Sequence, residues 1–91
     1  MTILDQLRDW LRRDGERWKK AGERAQVYRL ESNVLVYLLS SKKIGWWGLN
    51  PNVVKSLRSS GAIWKVVLVS VNEGVAFVVD GNSDLIESLT P

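Results

Sequence analysis

The chain has 91 residues, five of them Trp, with 13 Lys and Arg against 10 Asp and Glu for a formal charge of +3, and it holds neither Cys nor His. That length supports one hydrophobic core, so residues 1–91 read as a single domain, and 45% hydrophobic with 25% charged residues is globular rather than disordered composition. The missing thiols and imidazoles exclude disulfides, Cys-ligated metal, thiolate nucleophiles and the commonest general base; most enzyme templates are closed, and no cofactor or metal site is expected.

In chain order, residues 2–25 read as one long amphipathic helix. At about 100° per residue, Leu4, Leu7, Leu11, Gly15, Trp18, Gly22 and Ala25 fall in one sector about 80° wide. The two glycines in that sector suit close approach to a neighbouring element. The competing reading is a break at Asp14-Gly15. Residues 26–31 and 34–40 follow as a β-hairpin turned by Ser32-Asn33. The first run alternates, whereas the second is apolar throughout, as in a central strand. Residues 44–49 form a short third strand or an ordered loop.

Residues 50–60 carry the clearest local code: Asn50 as N-cap, Pro51 in the first turn, Leu49 and Val54 as a hydrophobic staple and Gly61 as the stop. This second helix buries Val53, Val54 and Leu57 and turns Lys55 and Arg58 outward. Residues 62–71 and 75–80 make a C-terminal hairpin around Asn72-Glu73-Gly74, and Asp84 with Glu87 has capping-box spacing for a last helical turn. The fold class is α+β, an antiparallel sheet with helices packed on it. Residues 34–39, 66–69 and 75–79 are apolar on both strand faces, so either the sheet curls around its own core or a second copy or protein partner seals one face.

The first residues carry acids from Asp5 onward, unlike a signal peptide, and the longest apolar run is the six residues 34–39. A bilayer-spanning helix needs roughly 18–20. The expected setting is cytoplasmic, with no membrane partner.

Catalytic motifs are sparse. Asp80, Asn82 and Asp84 open like a calcium loop, but Leu85 stands where its sixth position needs Gly and Pro91 where its twelfth needs Glu. No phosphate-cradling glycine motif occurs, and no Ser has a His partner. The chain therefore reads as non-catalytic.

Basic residues are unevenly spread: residues 1–43 hold ten Lys and Arg against six acids, and residues 44–91 hold three against four. On the expected helix Arg13, Arg17, Lys20 and Arg24 form a stripe opposite the apolar face, able to track phosphates. A solvated face neutralised by Asp9, Glu16 and Glu23 is the alternative. Lys42 and Lys43 next to Trp46 and Trp47 combine phosphate-binding cations with rings that stack on unpaired bases. Adjacent Trp residues on a strand point to opposite faces, so at most one of Trp46 and Trp47 enters the core and the other either packs under a helix or is left for an interface.

The segment Trp46-Trp47-Gly48-Leu49-Asn50, followed by Leu57, by Trp64-Lys65-Val66-Val67-Leu68 and by a strand after Gly74, resembles strand–helix–strand pieces of archaeal and bacterial restriction-type proteins. Three functional readings result. The first is a nucleic-acid-binding module using Arg13, Arg17, Lys20, Arg24, Lys42, Lys43, Trp47, Lys55 and Arg58. The second is a protein-interaction module or small inhibitor, including a homodimer, using an apolar sheet face with Trp46 or Trp47 as anchor. The third, which the resemblance implies, is a fragment of a metal-dependent restriction-type nuclease.

Overall fold

A computed structural model describes residues 2–42 and 47–91. Helix α1 (Ile3–Asp14) opens with a capping box: the Thr2 hydroxyl accepts from Asp5 N–H, and the Asp5 carboxylate accepts from the Thr2 N–H and hydroxyl. These hydrogen bonds hold the Asp5 carboxyl below its ordinary range, with a smaller pull from Arg8.

The helix stops at Asp14, correcting the long N-terminal helix expected over 2–25. Gly15 is extended, its N–H still donating to Leu11 O, and the chain passes directly into strand β1 (Gly15–Arg17). A Cβ on Gly15 would lie 2.8 Å from Leu11 O and 3.2 Å from the Leu30 side chain, so only glycine lets helix and strand meet this tightly. The reason for the break is tertiary. Residues 15–17 pair with Leu30, Arg29 and Tyr28, and the chain then forms a 3-10 turn (Lys19–Ala21) in place of more helix.

Strands β2 (Val27–Leu30) and β3 (Leu35–Ser41) form the first hairpin, with Asn33 in the left-handed region at φ 63°. Helix α2 (Pro51–Ser59) starts as its code demands: the Asn50 side chain accepts from Asn52 N–H at 2.9 Å, Pro51 occupies the first turn and Leu49 and Val54 are both buried. Strands β4 (Trp64–Ser70) and β5 (Val75–Asp80) make the second hairpin. Helix α3 (Leu85–Leu89) closes the chain. Its first turn is held by the Ser83 hydroxyl accepting from Leu85 N–H, while the Asp84 side chain makes no capping hydrogen bond.

The sheet order is β1-β2-β3-β4-β5. Every pairing is antiparallel except β3 with β4, which run parallel over seven residue pairs because α2 carries the chain back across the sheet. The sheet is thus mixed, where antiparallel neighbours alone were expected. No third strand forms over 47–49, and the rest of the 44–49 run, with Lys43 and Trp46, lies outside the described residues. The additional strand is β1.

The β3–α2–β4 crossover separates two layers. On one face α1 packs Leu4, Leu7, Trp10 and Leu11 over Tyr28, Val36, Leu38, Val67 and Val69. On the other, α2, α3, the 3-10 turn and Trp47 cover Val27, Leu35, Tyr37, Trp64, Val66 and Leu68. Residues 34–39 are apolar on both faces because both faces of β3 are covered. Residues 34–39 and 66–69 are thus covered within the chain itself, whereas of residues 75–79 only Val79 is buried. Among the described residues, large apolar side chains are exposed on β5, at one edge, where Val75, Phe77 and Val78 lie close together in sequence, and singly at Ile63 before β4 and Leu85 of α3.

Candidate nucleic-acid interface

The predicted stripe is not one surface. Arg13 ends α1, is 72% exposed and lies 3.4 Å from the Asp14 carboxylate. Arg17, at the end of β1, points inward. Its guanidinium donates to the backbone oxygens of Glu23 at 2.6 Å and Ala25 at 3.0 Å and sits 5.5 Å from the centre of the Tyr28 ring. Its Nε is buried with no acceptor among the described residues. Such a cation is committed to tying residues 23–25 onto the sheet, leaving little of it for a ligand.

Lys20 and Arg24 belong to the other layer. The 3-10 turn and residues 21–25 run alongside α2: Lys20 borders Ser56, Ser59 and Ser60, and residues 21–25 border Asn50, Asn52 and Val53. Exposed Lys55 stands on the same helix. This gathers Lys20, Arg24 and Lys55 from the expected set and adds Lys19, which sequence periodicity passed over. None of the four makes an ion pair among the described residues. Arg58, also on α2, lies 3.6 Å from Glu87 of α3. Arg29, likewise missed, pairs with Glu16 at 3.5 Å in the β1–β2 ladder, which replaces the helical Glu16–Lys20 pair of the solvated-face reading.

Lys42 is exposed just beyond β3, its carbonyl accepting from Asn72 N–H. Trp47 is half-buried over the sheet: its indole N–H donates to Val69 O at 3.0 Å, and its ring meets Phe77 edge-on at 5.9 Å. The expected free indole beside Lys42 is thus engaged in packing, and Lys43 and Trp46 lie outside the described residues.

Charge balance separates the layers. Helix α1 carries Arg8, Arg12 and Arg13 interleaved with Asp5, Asp9 and Asp14, whereas the 3-10 turn and α2 carry Lys19, Lys20, Lys55 and Arg58 with no acid. Glu23 is the one acid between the 3-10 turn and β2. Among the described residues no three acids gather as a set able to hold a metal, and Asp80 of the calcium-like run instead pairs with Lys65 at 2.5 Å. No helix among them is long and apolar enough to cross a membrane. No known family, curated protein or solved structure is similar enough to this chain to be matched with it.

Proposed function

We propose that this chain is a small, non-catalytic nucleic-acid-binding module of the cytoplasm whose contact face is the α2 layer. The observation that carries the reading is that Lys19, Lys20, Arg24 and Lys55, on α2 and on the 3-10 turn and loop packed against it, make no ion pair among the described residues. Cations without carboxylate partners attract phosphates without first breaking an ion pair, and each phosphate neutralised releases counterions. Arg58 extends the face at the cost of its Glu87 contact, and Lys42 adds charge at the end of β3.

Binding to a labelled duplex and to its single strand, measured across salt, tests this reading. Four phosphate contacts on a duplex correspond to an affinity loss of about 100-fold between 50 and 200 mM salt. A binding curve flat in salt, or no binding at low salt, overturns it.

Edge strand β5 favours a second reading, protein association. Val75, Phe77 and Val78 expose apolar surface next to backbone groups that no further strand covers, an arrangement soluble proteins usually blunt with charge or proline. The anchor in this reading is Phe77 with Val78 rather than Trp46 or Trp47. A homodimer through this edge is insensitive to salt and is lost in Val78→Lys, as sedimentation would report. Among the described residues no clustered acids favour metal-dependent cleavage.

A further inference from the structure

The α2 layer contains a groove of about 720 Å³, walled by the last turn of α2, the β2–β3 turn, the approach to β4 and the 3-10 turn. Its lining is chemically two-sided. At one side are donors: Lys20, Arg29, Trp18 and the Asn33 amide. No hydrogen bond engages the Trp18 indole N–H or the Lys20 ammonium among the described residues, and neither atom is buried without a partner. At the other side Ser56, Ser59 and Ser60 belong to the C-terminal turn of α2, where backbone carbonyls have no intrahelical donors. Ser60 satisfies Leu57 O through both its N–H and its hydroxyl, and the other carbonyls of that turn are left to outside donors. No acidic side chain lines the groove.

A bare phosphate fits only half of this lining, because the carboxy-terminal end of a helix repels anions. A ligand that matches both halves carries acceptor oxygens at one end and hydroxyl or amino donors at the other, with a flat face for an indole between them. A nucleotide has that distribution. Resting on the nucleic-acid reading, we propose that the groove is a single-nucleotide subsite: phosphate on Lys20, joined by Arg29 at the cost of its Glu16 contact, the base against Trp18, and sugar hydroxyls or base amino groups toward the last turn of α2. The nucleotide is one residue of an unpaired strand or a free mononucleotide; both present the same chemistry to the groove.

The test follows the Trp18 indole resonance of nitrogen-15-labelled protein, identified by its loss in Trp18→Phe. The probes are a single strand about eight nucleotides long, a mononucleotide and inorganic phosphate. The proposal expects saturable shifts with the first two and only a small shift with phosphate at equal concentration. Lys20→Gln should weaken mononucleotide binding about threefold to tenfold and lower the salt slope for the single strand by about 0.7, with thermal stability unchanged. Single-strand binding that leaves the Trp18 resonance in place overturns the subsite while sparing the basic face. A mononucleotide shift without strand binding supports the subsite and removes strand binding as the chain's role. Equal shifts with phosphate alone overturn the nucleotide assignment, and silence with all three probes overturns both.

Discussion

The two helical layers use arginine and lysine in opposite ways. On α1 each cation has a carboxylate within a turn, Arg13 with Asp14 being the pair in contact, and the layer is neutral by count. On α2 and the 3-10 turn the cations have no acid on their own element, only Arg58 reaching one, Glu87 of α3, and Arg17 at the end of β1 is turned inward against Tyr28. Total charge therefore says little about where a polyanion would land. What matters is which cations the fold separates from their carboxylates, and here a helix ending about three turns earlier than its apolar periodicity suggests makes that separation.

Several substitutions would break or sharpen the contrast. The largest effect is expected from emptying the core beneath either layer. Leu57→Ala under α2 and Leu11→Ala under α1 each remove a fully buried side chain and should cost about 2–5 kcal/mol in denaturant unfolding. Next comes Arg17→Leu. It leaves the Glu23 and Ala25 oxygens without their charged donor and should destabilise by about 1–3 kcal/mol, while the salt slope of the remaining folded protein stays as it was. A fallen slope without loss of stability would make Arg17 a ligand contact.

Charge reversal separates the layers by binding rather than folding. The double change Lys20→Glu with Lys55→Glu should weaken oligonucleotide binding tenfold or more, whereas Arg8→Glu with Arg12→Glu should leave it nearly unchanged. Equal losses would erase the distinction between the layers. The smallest effect is a pH dependence at the start of α1. Asp5 is held below its ordinary value of 3.8, so its stabilising contribution is present above that pH and is lost as pH falls through the lowered folded value. Helical circular dichroism of the wild type should show this acid fraying, and Asp5→Asn should lack it. At the alkaline end the sign reverses. Burial raises the Tyr37 phenol above 10.0, so its contribution is present below that pH and is lost as pH rises through the raised folded value.

Much of the fold was legible because local chemistry and tertiary outcome agree. Asn50, Pro51, Leu49 and Val54 specify the start of α2, and Asn33 and Gly74, both at positive φ, specify the two hairpin turns. The helix expected over 2–25 overran because Trp18 and Ala25 keep helical spacing for another reason: they are apolar to pack in the α2-side core, not to continue the stripe of Leu4, Leu7 and Leu11. No local signal distinguishes the two. The parallel pairing of β3 with β4 was hidden in the same way, since a hairpin before α2 and a hairpin after it suggest antiparallel neighbours; the two-faced apolarity of residues 34–39 was the trace it left. Of the proposed contact face, Lys20 and Arg24 were named from sequence for a helical geometry that does not exist and Lys55 for one that does, Lys19 was missed because only the packing of the 3-10 turn on α2 places it there, and Arg29 because its setting comes from the pairing of β1 with β2.

Arg17 has a consequence that reaches past stability. Residues 18–25 hold Lys19, Lys20 and Arg24 against the single acid Glu23, and a segment this rich in like charge would otherwise sample many conformations in water. By fastening its far end, a side chain outside the proposed contact face takes over the ordering cost at folding, so that a polyanion docking there would not meet it again. A variant lacking that fastening should retain every positive charge, associate at nearly the same rate and let go sooner.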